Sequence, residues 1–489
     1  MNRLRIFLPI ALAALLVLGG CATRPVNPPI TQVDPNGGYE LQTRQKHFKN
    51  LDKGNLVILA FSGGGTRAAA FSYGVLEFLR NNDVVTTSGA RIRLIDAVNI
   101  ITGVSGGSFT ALAYGLYGDK LFTDYEQRFL KRNVQGELVA RSLNPGNWGR
   151  LSSTAWGRSE LAAELYDEIL FNNATYGDLD RGDGPLILVA TTDISTGGRV
   201  VFQQNVFNVF CSDLDAVKLS RAASASSAVP VVLSPVTINN YGGTCNNVVP
   251  PWIKVFEGPN PPRPAARAIR ELRDVEIYND RVLHPYIHLV DGGVSDNLGM
   301  RGVLDALNIL EALRAAGLPS PVDQVRRIIV FVVNSLSSPP NKWDESEEPP
   351  GTVDVLLKAA GTPIDHYSYE ATELLKDIAA RWRAEHRLRD LAGCSTNKDS
   401  PVCASVRPPD AEIYAIDVSF AQLQDKAERD YLNLQPTSFA LPAEAVDRLR
   451  AAAGKIILES PEFQRLLKDT GAKIVPAQSS DGSAAGAAQ

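Results

Sequence analysis

Three times along this chain an apolar run rich in β-branched residues stops at a cluster of glycines. The runs are Asn55–Phe61 (NLVILAF), Val98–Thr102 and Ile287–Val290, and the turns after them read SGGGTR, GVSGG and DGG. Glycine weakens a strand and favours a turn, so each cluster marks a strand end. After the first cluster, Ala68–Arg80 carries Phe71, Val75, Phe78 and Leu79 on one helical face. After the second, a helix begins near Ser108. Leu186–Thr191 and Arg327–Asn334 are further strands, and Thr362–Leu391 reads as a long helix. Alternation of this kind predicts an α/β fold: a mostly parallel sheet with helices on both faces. Ligands in such folds collect beyond the carboxyl ends of the strands, where all three glycine turns fall.

The chain has 489 residues, 44% hydrophobic and 21% charged, enough for a sizeable core. A net charge of −5 gives no reason to expect a nucleic-acid partner. Arg3 and Arg5 precede a thirteen-residue apolar run, Ile6–Leu18, then Gly19, Gly20 and Cys21. A basic start, a short apolar run and small residues describe a secretory signal over residues 1–20, too short to span a bilayer comfortably. Leu18-Gly19-Gly20-Cys21 resembles the bacterial lipobox. The resemblance implies cleavage before Cys21, acyl chains such as palmitate on that residue, and a membrane-anchored lipoprotein. Ala22, where an Asp would favour the inner membrane, points to the outer membrane of the cell envelope.

Residues 21–50 are polar and proline-bearing and read as a flexible tether, and residues 476–489 as a disordered tail. Between them, residues 51–475 form the folded domain. Without Cys21, four cysteines remain, which in an exported chain suits two disulfides. Closeness pairs Cys394 with Cys403 and leaves Cys211 for Cys245. Zinc is the competitor, without a CxxC pair or a nearby histidine to support it.

Gly-x-Ser-x-Gly between a strand and a helix lifts the hydroxyl of Ser105 out of the sheet on a sharp turn; the plainer reading is a glycine-rich turn. Gly63, Gly64 and Gly65 leave backbone N–H groups unobstructed before a helix start, which suits a phosphate or an oxyanion. Gly63-x-Gly65-x-x-Ala68 also fits a dinucleotide fingerprint with Asp83 twenty residues on. That acid, however, follows a helix tail and not a second strand. Asp291 enters a Gly-Gly turn, where an aspartate often bonds only its own backbone. Asp296 caps the helix that follows. Of five histidines, His47 lies in the tether, His284 and His288 flank the Asp291 strand, and His366 and His386 fall in a helix. None sits in a glycine turn at a strand end, whereas Asp291 does. A carboxylate can replace imidazole as the base for a serine.

These motifs, in this order, resemble the patatin-like phospholipases. VATTDISTGGRVVF (Val189–Phe202) and LSRAASASSAVPVVLSPV (Leu219–Val236) fit as well, and the resemblance covers Asn55–Gly302. It implies a three-layer sandwich and hydrolysis of phospholipid or lysophospholipid acyl esters, with no metal or other cofactor. Ser105 would be the nucleophile, Asp291 the base, Gly63, Gly64 and Gly65 the oxyanion hole, and Arg67 the loop arginine, a possible anion contact. Ser62 and Ala68 depart from the family pattern, and residues 303–475 are an extension without an assigned role. The competing function is a catalytically silent surface lipoprotein that binds lipid or a protein partner through the same cleft; a histidine-dependent α/β-hydrolase is a third reading.

Overall fold

The computed structural model describes residues 22–49, 52–246, 273–315, 318, 323–338, 343–394, 396, 400–406 and 408–477. Residues 1–20, expected to be a secretory signal, Cys21 and the segment from Gln478 lie outside them. β1 (Asn55–Phe61) leads into α1 (Gly65–Asn81), which is followed by β2 (Asn82–Val85) and β3 (Arg91–Arg93). β4 (Ile100–Gly103) leads into α2 (Gly106–Tyr117), and β5 (Leu186–Asp193) turns back as β6 (Arg199–Phe202). α3 (Leu219–Ser226) precedes β7 (Val236–Asn239), and β8 (Tyr286–Asp291) precedes α4 (Arg301–Ala315). Then come β9 (Arg327–Asn334), α5 (Thr352–Leu391), β10 (Glu412–Ser419) and α6 (Ala443–Glu459). α7 (Pro461–Thr470) and β11 (Lys473–Pro476) end the described chain.

The main sheet runs β10-β9-β1-β4-β5-β8-β7, with β6 also beside β5. β10, β9, β1, β4 and β5 are parallel, whereas β6, β7 and β8 pair antiparallel. Strands buried on both faces read as unbroken apolar runs, which is why NLVILAF and RIIVFVVN do not alternate. The expected mostly parallel sheet flanked by helices is the fold. β2, β3 and β11 form a separate small antiparallel sheet, in which Asp83 is ion-paired to Arg91. The acid that a dinucleotide site would need is therefore engaged away from the main sheet.

The segment beyond residue 303 is no appendage. β9 and β10 complete one side of the main sheet, and α6 packs along α1. α5 starts ten residues earlier than expected and takes Pro363 into its interior. The first turns are exposed, so water can take the bond that the proline cannot make. Both disulfides, Cys211–Cys245 and Cys394–Cys403, pair as expected.

The tether expectation needs correcting. Polar composition suggested a free linker, yet its polar groups are bonded to the domain. Asn27 is buried, its amide bonding the Ser212 hydroxyl at 2.8 Å and the Asn239 backbone on both sides. Tyr39 is fully buried, its hydroxyl accepting the Ile187 N–H at 2.8 Å. Arg44 donates to the carbonyls of Asp180 and Gly184, both at 3.1 Å. At the other end, Pro476 closes a strand instead of opening a disordered tail.

Candidate active site

Gly103 on β4 lies opposite Phe61 of β1 and Val189 of β5, so the turn at Ser105 leaves the middle of the sheet. Ser105 has φ 47° and ψ −121°, a left-handed conformation that a residue with a Cβ holds only when its surroundings fix it. The fixing bonds are visible. The Ser105 N–H donates to the Ser226 hydroxyl at 2.8 Å, and that hydroxyl donates to the Ala190 carbonyl at 2.8 Å.

The glycines around the serine have a steric reason. A Cβ on Gly106 would collide with the Gly65 carbonyl, and one on Gly107 would stand 2.6 Å from the Ser62 carbonyl. Two bare glycines thus let the serine turn lie directly against the glycine loop. In that loop Gly64 has φ 137° and Gly65 φ 60°, both unfavourable to side chains.

Asp291 ends β8 opposite Thr191. Its carboxyl accepts the Gly293 N–H at 2.7 Å, and the Ser105 side chain lies close enough to lower its pKa. Burial pushes its pKa up from 3.8 to about 6, against the lowering effect of those two groups. Sequence positions almost two hundred apart thus come together at one site. Asp296 caps α4, as expected, accepting the N–H groups of Met300 and Arg301. Among the described residues no histidine bonds Ser105 or Asp291; His288 meets Thr237 and His386 the Pro409 carbonyl.

Two expectations are corrected. Gly63 has no N–H to offer, because it donates to the Asn297 carbonyl at 2.9 Å. The N–H groups of Gly64, Gly65 and Gly106 have no partner among the described residues. Arg67 does not face the cleft as an anion contact. It is buried, donating to the carbonyls of Ser335 at 2.6 Å and Gln435 at 2.7 Å and to the Thr437 hydroxyl at 3.1 Å. It thereby ties the glycine loop to the C-terminal part of the chain, where the Ser438 carbonyl also accepts the Thr66 N–H at 2.8 Å. Arg67→Ala would leave buried carbonyls unpaired, at a cost of about 2–4 kcal/mol that a lower Tm should report.

Sequence reasoning missed Ser226, Asn297 and the Gly106 N–H. Ser226 lies in a run of serines and alanines, with no spacing to mark it. The Gly106 N–H could have been found from its place just after the serine, at a helix start.

A serine on a strand-to-helix turn, a buried carboxyl beside it and N–H groups without a partner among the described residues define a site suited to attack on an ester. A family model of the patatin-like phospholipases matches residues 59–304, half of the chain, and the chain belongs to that family. Among solved structures it is similar to human GIVD cytosolic phospholipase A2, at 13% identity and TM-score 0.43, over 92% of this chain and 68% of that one. The same human protein in complex with methyl gamma-linolenyl fluorophosphonate gives 14% identity and TM-score 0.40, over 88% and 63%. No curated protein matches the chain.

Proposed function

We propose that this chain is a serine acyl hydrolase that cleaves lipid acyl esters of the phospholipid or lysophospholipid class. The observation that carries the reading is the placement of Ser105, on a turn of positive φ, beside the buried Asp291 carboxyl, whose pKa is raised to about 6. In this reading Asp291 takes the hydroxyl proton as Ser105 attacks the ester carbonyl. The carbonyl oxygen becomes an oxyanion, held by the N–H groups of Gly64, Gly65 and Gly106. As the C–O bond breaks, Asp291 returns the proton to the departing alcohol, leaving an acyl-serine. Water then enters by the same route and releases the fatty acid. Family membership supports lipid esters as the substrate class, and Cys21 as a lipidated residue would hold the chain in a bacterial envelope, at the outer membrane.

The test is active-site titration with a fluorophosphonate, followed by product analysis on a defined phospholipid panel. Stoichiometric labelling of Ser105 and release of fatty acid are expected. An unlabelled, folded protein would overturn the reading and leave the silent lipoprotein.

Gly64→Ala probes the oxyanion role through the backbone. A Cβ there would stand 2.9 Å from the Arg67 guanidinium and 3.0 Å from the Ser335 hydroxyl, at φ 137°. Loss of one oxyanion donor costs ~10²–10³ in turnover. The loss is expected in kcat more than in KM, with slower probe labelling. A lowered Tm with unchanged turnover per folded molecule would mean the loop is only structural.

A further inference from the structure

The chain's first described residues are fastened at one place on the domain. The Ala22 carbonyl accepts a hydrogen bond from the Ser153 hydroxyl at 2.7 Å. Arg24 bonds the Asn239 side chain and lies over the Tyr286 ring. Ser153, Arg24 and Tyr286 line a groove of about 930 Å³ together with Ser142, Leu151 and Arg158. Near this groove the surface is apolar: Val26, Leu143, Trp148, Val231, Val232 and Tyr286 are each more than half exposed. Leu143 follows Ser142 in the chain, and Trp148 lies in the helix Pro145–Leu151, whose last residue lines the groove. Arg158 donates to the Val231 carbonyl at 3.0 Å. Scattered apolar residues need no explanation, but six in one neighbourhood mark an interaction surface. Arg24 and Arg158 form no ion pair among the described residues, so the surface also offers positive charge.

We propose that this face docks on an anionic phospholipid bilayer and that the enzyme draws its substrate from that same bilayer. The inference rests on the reading of the chain as a lipid acyl hydrolase acylated at Cys21. Cys21 is one peptide unit, about 3.8 Å, from the fastened Ala22. Acyl chains on Cys21 would therefore enter the membrane at the rim of the groove, with no tether to let the domain stand away. The apolar side chains then sit at the headgroup boundary and the arginines meet lipid phosphates. The loop bearing Val231 and Val232 also reaches the candidate active site, since the Ala228 carbonyl accepts the Asp291 N–H at 3.0 Å. One loop thus meets both the bilayer and the reacting centre.

The test uses the intact chain reconstituted on vesicles of phosphatidylethanolamine and phosphatidylglycerol. Lipids brominated in their acyl chains should quench tryptophan emission. Of the five tryptophans, Trp156 and Trp382 are buried, Trp343 is half-buried and Trp252 lies outside the described residues. Trp148→Phe should therefore remove more of the quenching than Trp252→Phe or Trp343→Phe. The double variant Leu143→Glu, Trp148→Glu should hydrolyse vesicle phospholipid about tenfold more slowly or worse, since interfacial binding scales with buried apolar area. Its turnover of a soluble short-chain ester should stay within about twofold of wild type, since both positions are solvent-exposed. Quenching unchanged by Trp148→Phe, or unimpaired vesicle hydrolysis by the double variant, overturns the proposal, as does a protein partner covering this face without quenching by lipid. Ser105→Ala should be quenched like wild type. Quenching with no hydrolysis of any ester by the wild type would overturn the hydrolase reading alone, whereas hydrolysis without quenching would overturn the docking alone.

Discussion

Ser105→Ala is expected to lower ester hydrolysis by ~10⁴-fold or more, the usual cost of removing a nucleophile. The fold should survive. Alanine meets the same backbone demand as serine at φ 47°, and the bonds that hold the turn come from the Ser105 N–H and from Ser226, which the substitution leaves in place. What is lost is the polar contact with Asp291, worth about 1 kcal/mol of stability at most. Turnover, fluorophosphonate labelling and Tm on one preparation check the expectation. Residual activity above about a hundredth of wild type would sink the assignment of Ser105 as nucleophile.

Asp291→Asn should be as damaging to turnover, yet it should stabilise the protein at alkaline pH. Asparagine keeps an oxygen for the Gly293 N–H but presents an amide donor to Ser105, which cannot take its proton. The stability effect follows from the raised pKa. A carboxyl that holds its proton more tightly when folded costs stability wherever it is ionised in the native state. That cost is complete above pH 6, fades as pH falls towards 3.8 and is absent below it. The shift from 3.8 to about 6 corresponds to roughly 3 kcal/mol, which the amide does not incur. The variant's Tm should therefore exceed wild type at pH 8 and lose that advantage near pH 4. For the same reason wild-type kcat/KM should fall as pH drops through about 6, where the base becomes protonated. A variant less stable than wild type at pH 8 would mean that the carboxylate is not isolated in the folded state.

The three glycine turns carried most of what the sequence could disclose. Strand ends announce themselves through glycine and periodicity, so β1, β4, β8 and β9 were legible, and with them Ser105 and Asp291. Register was not. That Gly63 turns its N–H to the Asn297 carbonyl depends on two loops meeting across the fold, and no spacing encodes it. Arg67 misled for a related reason. A guanidinium beside glycines suits an anion, yet its five donors suit buried carbonyls equally well, and only the fold supplies those carbonyls. The N-terminal segment failed on composition: Asn27, Tyr39 and Arg44 look like linker residues until the partners that bury them are known.

The Arg67 anchorage has a consequence for how this chain can be divided. The matched region, residues 59–304, contains Ser105 and Asp291 but not the strand that borders β1 on its far side. A piece cut at residue 304 would leave β1 with a bare row of N–H and C=O groups, an invitation to pair with other molecules. It would also leave the Arg67 guanidinium without the Ser335, Gln435 and Thr437 groups that now surround it. The half that carries Ser105 and Asp291 is consequently not a transplantable module. Changes to the C-terminal third that preserve β9 and β10 can still reshape the glycine loop from a distance, so variation there is a route to retuning the candidate site without touching Ser105 or Asp291.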